Sequence, residues 1–281
     1  MDIYAEVTNR IISQLEKGTV PWHKPWMAAG LAVNHVTGKP YSMLNQMMLG
    51  APGEYLTFKQ VTASGGKIKK GAKANMVVFW KVLQKPALDR NGKELLAEDG
   101  KVMMRPMPFL RYYNVFHIDD CENVKPKLKP GNAAVHADAE TVLMGYVRRS
   151  GVRLEHRQQN KAYYRPSEDC IVLPERWQFE STAEYYGTAF HEAVHSTGHP
   201  SRLNRLEKQA DFGSEEYSKE ELVAEIGSSM IVFHTGTGDE KCFSNSVSYI
   251  GGWLKALKND KRLIVSAASR AEKAANYILG V

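Results

Sequence analysis

Two histidines four residues apart with a glutamate between them, His191-Glu192-Ala193-Val194-His195, are the residues of this chain best arranged to do chemistry. On a helix, positions i and i+4 lie about 40° apart around the axis and one turn apart along it, so both imidazoles can reach one metal ion. Glu192 sits about 100° from His191, beside the site, where its carboxylate can take a proton from a water molecule. That is the general-base role of zinc hydrolases. A Gly198 stop follows three residues after His195, and a strand-like hairpin precedes the helix. The expected cofactor is one divalent ion, Zn2+.

A third ligand is required. The extended pattern H-E-x-x-H-x-x-G-x-x-H holds as far as Gly198 and then meets Ser201 where it needs histidine; His199 comes two residues early. The alternative is an acid from the next helix. Glu221-Leu222-Val223-Ala224-Glu225 carries carboxylates at i and i+4. Glu221 is assigned to the metal and Glu225 to the layer that orients a histidine, with the reverse assignment left open and Glu220 as a further choice. Glu220 and Glu221 also suit the positive end of a helix if that helix starts near Ser218; Glu225, inside an apolar run, has no such explanation. Tyr163, Tyr164, Tyr185, Tyr186 and Tyr217 are candidate donors to a developing oxyanion, although most tyrosines in such numbers are packing residues.

The elements that must position these groups follow from periodicity. Helices are expected over about 137–149, 181–197, from about 218, 247–258 and 263–279, with a strand at 152–156 and a hairpin pairing 162–164 with 170–174. Upstream, a helix over Asp2–Lys17 closes at Gly18, a short one spans Tyr41–Leu49, and a strand at Tyr55–Phe58 leads into another helix. Runs at 75–83 and 109–118 flank Asn91-Gly92 and Asp99-Gly100 turns, as in a long hairpin. Lys125-Pro126-Lys127-Leu128-Lys129-Pro130-Gly131 is the linker candidate. The fold class is α+β in two domains: residues 1–125, a linker over 126–135, and residues 136–281. The linker implies that the two fold independently.

Charge divides unequally between them. Residues 1–130 hold 19 Lys+Arg against 11 Asp+Glu, a balance of +8, whereas the remaining 18 against 20 give −2. The basic half suits a polyanion, and a solvated lysine-rich surface is the plain alternative. In that half Trp22, Trp26, Tyr41, Tyr55, Phe58, Phe79 and Trp80 are interspersed with Lys24, Lys39, Lys59, Lys67, Lys69, Lys70, Lys73 and Lys81. Aromatics that stack bases beside cations that track phosphates hold single strands without sequence preference. The expected nucleic-acid contacts are Trp22, Lys24, Trp26, Lys39, Tyr41, Lys59 and the Gly-flanked turn bearing Lys67, Lys69, Lys70 and Lys73, although each Trp is as readily a core residue. No run is long and apolar enough for a membrane span, the N-terminus lacks signal-peptide character, and Cys121, Cys170 and Cys242 form no C-x-x-C pair. A cytoplasmic protein is expected.

Several blocks resemble the N-terminal domain of the ArdC antirestriction family: Leu15-Glu16-Lys17-Gly18-Thr19-Val20-Pro21-Trp22-His23-Lys24-Pro25-Trp26, Gly38-Lys39-Pro40-Tyr41, Leu56-Thr57-Phe58-Lys59-Gln60, Val77-Val78-Phe79-Trp80 and Tyr112-Tyr113-Asn114-Val115-Phe116. His191 to His199 and Glu220 to Gly227 resemble that family's zincin-like C-terminal domain. The resemblance covers nearly the whole chain. It implies binding of single-stranded DNA, protection of incoming conjugative-plasmid DNA from restriction enzymes, and a metallopeptidase-like second domain. A DNA-dependent zinc metalloprotease acting on a protein substrate is the other reading. The chain departs from the family after Phe116, where it has His117-Ile118-Asp119-Asp120.

Overall fold

A computed structural model describes residues 2–23, 30–89, 91–97, 99–127, 138–206, 215–237 and 249–281. The chain opens with helix α1 (Ile3–Glu16), whose first turn is capped by the Asp2 carboxylate accepting from Ala5 N–H, and a 3₁₀ turn, Pro21–His23, follows. Strand β1 (Ala32–Asn34), helix α2 (Met43–Leu49), strand β2 (Gly53–Thr57), helix α3 (Phe58–Ala63) and strand β3 (Lys67–Ile68) come next. A long hairpin, β4 (Asn75–Pro86) and β5 (Met104–His117), and the short β6 (Cys121–Glu122) complete the first half. The four-stranded sheet runs β1-β2-β5-β4, parallel between β1 and β2 and antiparallel elsewhere, with Phe79 opposite Arg111 and Val77 opposite Tyr113.

The second half begins at helix α4 (Ala139–Ser150) and continues through β7 (Arg153–Arg157), β8 (Tyr163–Arg165) and β9 (Cys170–Pro174). The sheet order is β7-β9-β8, so the expected hairpin is present and β8 is an edge. Helices α5 (Thr182–Ser196), α6 (Glu215–Thr235), α7 (Ile250–Asn259) and α8 (Leu263–Leu279) follow. Ser181 caps α5 by accepting from Glu184 N–H, which fixes the register of the two histidines. Among the described residues, no helix is long and apolar enough to cross a membrane. The fold is α+β, as expected.

Two expectations need correction. Helix α6 is already helical at Glu215, not near Ser218, so Glu220 and Glu221 lie in its second turn and the first-turn dipole does not account for them. Independent folding of the halves is also not how the core is built. Val7, Ile11 and Leu15 of α1 and Met43, Leu44 and Met47 of α2 belong to the same buried cluster as Phe190, Val194, Ile226, Leu257 and Ile264. Thr8 Oγ1 donates to the Lys261 carbonyl at 2.7 Å, and Lys258 pairs with Glu16 across the same seam. The apolar stripe of α1 is therefore buried on C-terminal helices, and it stabilises both halves together. Most of the expected linker, from residue 128 on, lies outside the described residues.

Candidate metal centre

Helix α5 buries Ala189, Phe190, Ala193 and Val194, which turns His191 and His195 toward α6. Their Nε2 atoms face each other at 3.1 Å, and the carboxylate of Glu221, buried on α6, lies 3.4 Å from each. These three donors lie within 4.8 Å of one another. Two facing imidazole nitrogens and a carboxylate need a cation between them, a proton or a metal ion. The donor set, two imidazoles and one carboxylate, fits a divalent metal.

The outer ring nitrogens face separate carboxylates, that of His195 within hydrogen-bond reach and that of His191 at the longer range of a charge contact. His195 Nδ1 lies 3.2 Å from Glu220 Oε1, and His191 Nδ1 lies 3.8 Å from Glu225 Oε1. A proton on Nδ1 directed at a carboxylate leaves the Nε2 lone pair for a metal. Glu220 is in turn gripped by Arg205, with Nε at 3.0 Å and Nη2 at 2.7 Å from its oxygens. Gly198 leaves room for the turn after α5 that carries Arg205 back to Glu220: a Cβ there would meet Leu206 Cγ at 2.6 Å and force that side chain to shift. Glu225 accepts from His23 Nε2 at 3.3 Å.

Burial alone would push the His191 and His195 pKa values down. Hydrogen bonding to Glu221, and for His195 also to Glu220, reverses this and holds both above the ordinary range. Burial would push Glu221 up, but its bonds to the two imidazoles hold it far below the usual carboxylate range. The triangle of His191, His195 and Glu221 is thus a locus of mutually stabilised opposite charge.

Glu192 lines two cavities of about 420 and 410 Å³ that share His191 and meet at the site. Both are bordered by Ala162, at the start of the β8 edge, and by Tyr249. Tyr217 lines the second, beside Glu221; burial and that carboxylate raise its pKa and that of Tyr249, so both keep their protons at neutral pH. Of the other tyrosine candidates, Tyr186 donates to Glu140 and Tyr185 meets His156, while Tyr163 and Tyr164 also border the second cavity, where Tyr164 donates to Asp169 and Tyr163 accepts from Arg165. His199 pairs with Ser201 and takes no part in the triangle. Sequence reasoning missed Tyr249, His23 and Arg205. None falls in a recognisable spacing from the HExxH unit, so no local signal could have found them.

The expected nucleic-acid residues fare unevenly. Trp22 does not meet its expectation: it is 1% exposed, edge-on against Trp253 at 5.2 Å, and offers no ring face to a base. Lys24 and Trp26 lie outside the described residues. Tyr41 is half-buried against Tyr55. Lys39, Lys59, Lys67, Lys69, Lys70 and Lys73 are exposed, with Lys69 Nζ donating to the Asp119 carbonyl. Phe79 is 51% exposed and Tyr113 48%, and they share a sheet face with Arg111, whose guanidinium covers the Phe109 ring at 4.7 Å.

Comparison with known proteins matches each half of the chain to a described family. Residues 1–116 match the family described as the N-terminal domain of anti-restriction factor ArdC, and residues 141–270 match the zincin-like metallopeptidase family. The antirestriction ArdC protein from plasmid R388 is 34% identical. Its metal-free crystal structure has a TM-score of 0.74, covering 99% of this chain and 97% of that one, and its Mn(II)-bound structure has 0.76, covering 100% and 98%. A DNA primase TraC of Escherichia coli is 38% identical over 289 residues, which is 97% of this chain and 19% of that protein. The protein y4eC of Sinorhizobium fredii is 32% identical, covering 99% of this chain and 91% of that one. The chain thus spans about a fifth of that primase. Matched along both halves and over nearly its full length, this chain belongs to the ArdC antirestriction family and carries a zincin-like metallopeptidase domain.

Proposed function

We propose that this protein binds single-stranded DNA through its N-terminal half and protects incoming mobile-element DNA from host restriction, with a divalent metal centre in its second half. The proposed division is residues 1–125, a linker over 126–135, and residues 136–281. The ligands are His191, His195 and Glu221; Glu225 and Glu220 are the carboxylates that orient the two imidazoles. The observation that carries the metal reading is the convergence of three donors within 4.8 Å, each imidazole backed by its own carboxylate. Zinc is the proposed ion, since two imidazoles, one carboxylate and an open position suit it, while nitrogen and oxygen donors also accept other divalent ions. For DNA, the support is the aromatic and cationic strip of Phe79, Arg111 and Tyr113 together with the exposed lysine turn. Stacking on exposed rings beside cations binds single strands of any sequence.

A second reading, peptide hydrolysis on DNA, is favoured by the position of Glu192. A divalent ion at the site would act as a Lewis acid on a carbonyl and promote ionisation of water. Glu192 would take the proton from the attacking water and return it to the leaving amine. Tyr217 and Tyr249, kept protonated, would donate to the developing oxyanion, and the β8 edge offers backbone groups to an extended chain. One comparison separates the readings. Glu192→Gln keeps shape and metal ligands but lacks the base. In conjugation into a restricting host, coating requires that this variant protect as well as the wild type; proteolysis requires that protection collapse while DNA affinity and metal content stay unchanged. A peptidase assay with and without single-stranded DNA measures the chemistry directly.

A further inference from the structure

The outer layer of the metal centre has a twofold logic that the HExxH unit does not contain. Each imidazole has a carboxylate at its outer nitrogen, Glu220 for His195 and Glu225 for His191. Each carboxylate has a nitrogen donor behind it. For Glu220 the donor is Arg205, nine residues after Ser196, the end of helix α5. For Glu225 it is His23, 202 residues away and in the other half of the protein.

We propose that His23 is a positioning residue of the metal centre, so that the N-terminal half completes a site whose motif lies entirely in the C-terminal half. The inference rests on the reading of His191, His195 and Glu221 as the ligands. A carboxylate can only accept, so His23 Nε2–H donates to Glu225 Oε2, leaving Oε1 to face His191 Nδ1 at 3.8 Å, a charge contact longer than a hydrogen bond. Both side chains are largely buried, at 14% and 8% exposure. A buried carboxylate deprived of a donor turns toward whatever donor or water it can reach, and the imidazole it orients loses its fixed tautomer and direction.

The position of His23 is not that of a loose surface side chain. It closes the Pro21–His23 turn, whose middle residue Trp22 is buried edge-on against Trp253. Trp253 stacks on Tyr249 at 5.9 Å, and Tyr249 borders both cavities at the metal site. Two neighbouring residues of one turn therefore reach the same centre by separate routes, one polar through Glu225 and one apolar through Trp253. This gives the buried Trp22 a role that base stacking does not.

The test measures metal affinity of the full-length protein by chelator competition with Zn2+, alongside the visible spectrum of the Co2+-loaded form and thermal melting of the metal-free form. His23→Ala should weaken Zn2+ binding about tenfold, the lower end of the range for outer partners of metal ligands, since it acts on His191 through Glu225. His23→Gln, whose amide nitrogen stands close to where Nε2 stood, should bind within about threefold of wild type, and His23→Asn, whose amide stops short, should resemble Ala. The Co2+ spectrum should shift in Ala and Asn and return in Gln. Zn2+ affinity unchanged in His23→Ala would overturn the proposal. So would equal weakening in all three variants accompanied by equal loss of metal-free melting temperature, since that pattern marks packing and not donor position. His191→Ala separates the two levels. If it retains wild-type Zn2+ affinity, the ligand reading fails and this inference with it; if it loses the ion while His23→Ala does not, the ligand reading stands and only the role of His23 falls.

Discussion

The two halves of this protein concentrate function in opposite ways. In the C-terminal half a few side chains on two helices converge on a buried point, where each group shifts the protonation of its neighbours. In the N-terminal half the candidate groups are spread over a solvent-facing sheet and a lysine turn. A convergent site fails when one member is removed, because the remaining buried charges are left uncompensated. A distributed surface loses affinity in small, roughly additive steps.

The largest expected effect tests the convergent side. His191→Ala or Glu221→Gln should reduce metal affinity by more than about 100-fold, beyond what loss of an orienting partner does, with single-stranded DNA binding retained. Elemental analysis of purified protein reads the first result and fluorescence anisotropy the second. Metal content equal to wild type would break the comparison at its root.

Next comes the contrast between two aromatics of the same half. Trp22→Ala should destabilise the protein by about 3–5 kcal/mol, the cost of emptying a core aromatic site. Phe79→Ala should leave stability within about 0.5 kcal/mol and instead weaken single-stranded DNA binding by about 1–3 kcal/mol, the contribution of one stacked base. Denaturant titration and binding isotherms on both variants check this; the reverse pattern would mean that Trp22, not the sheet face, reads the DNA.

A smaller effect is expected at the strut beneath helix α5. Asp169 accepts from Arg202, which is buried behind α5, and from Tyr164. Burial would raise the Asp169 pKa, but the Arg202 and Tyr164 bonds hold it below the ordinary value. A lowered pKa contributes stability above the ordinary carboxylate range and loses it as pH falls through the folded value. Asp169→Asn should therefore cost about 2 kcal/mol at neutral pH, less than a fully buried pair because Asp169 is 28% exposed, and the difference from wild type should close in acid. A gap in stability that widened on acidification would contradict this sign.

The smallest steps belong to the lysines. Replacing Lys67, Lys70 or Lys73 singly should reduce the slope of log affinity against log salt by about 0.7 for each phosphate that is no longer neutralised, with no change in sequence preference. A slope unchanged by all three substitutions would move the DNA path away from the turn.

Whatever depends on local spacing was legible in the order of the residues. The i, i+4 rule placed His191 and His195 on one helix face and Glu192 beside them, and the same rule pointed to Glu221 and Glu225 on a helix that had yet to be docked. Alternation and turn residues located the β4–β5 and β8–β9 hairpins, and helix periods located α1, α5 and α8 within a residue or two. Composition located the basic half. It could not separate a tryptophan that stacks on a base from one that fills a core, since both are large, apolar and near lysines. The packing of α1 and the Pro21–His23 turn onto the C-terminal helices settled that Trp22 is buried and that the two halves share one core. The docking of α6 on α5 likewise settled which acid faces both Nε2 atoms and which two face the outer nitrogens. His23 meets Glu225 across 202 residues of chain, and a pairing of that separation leaves no periodic trace because it is set by how the faces of distant helices bury one another.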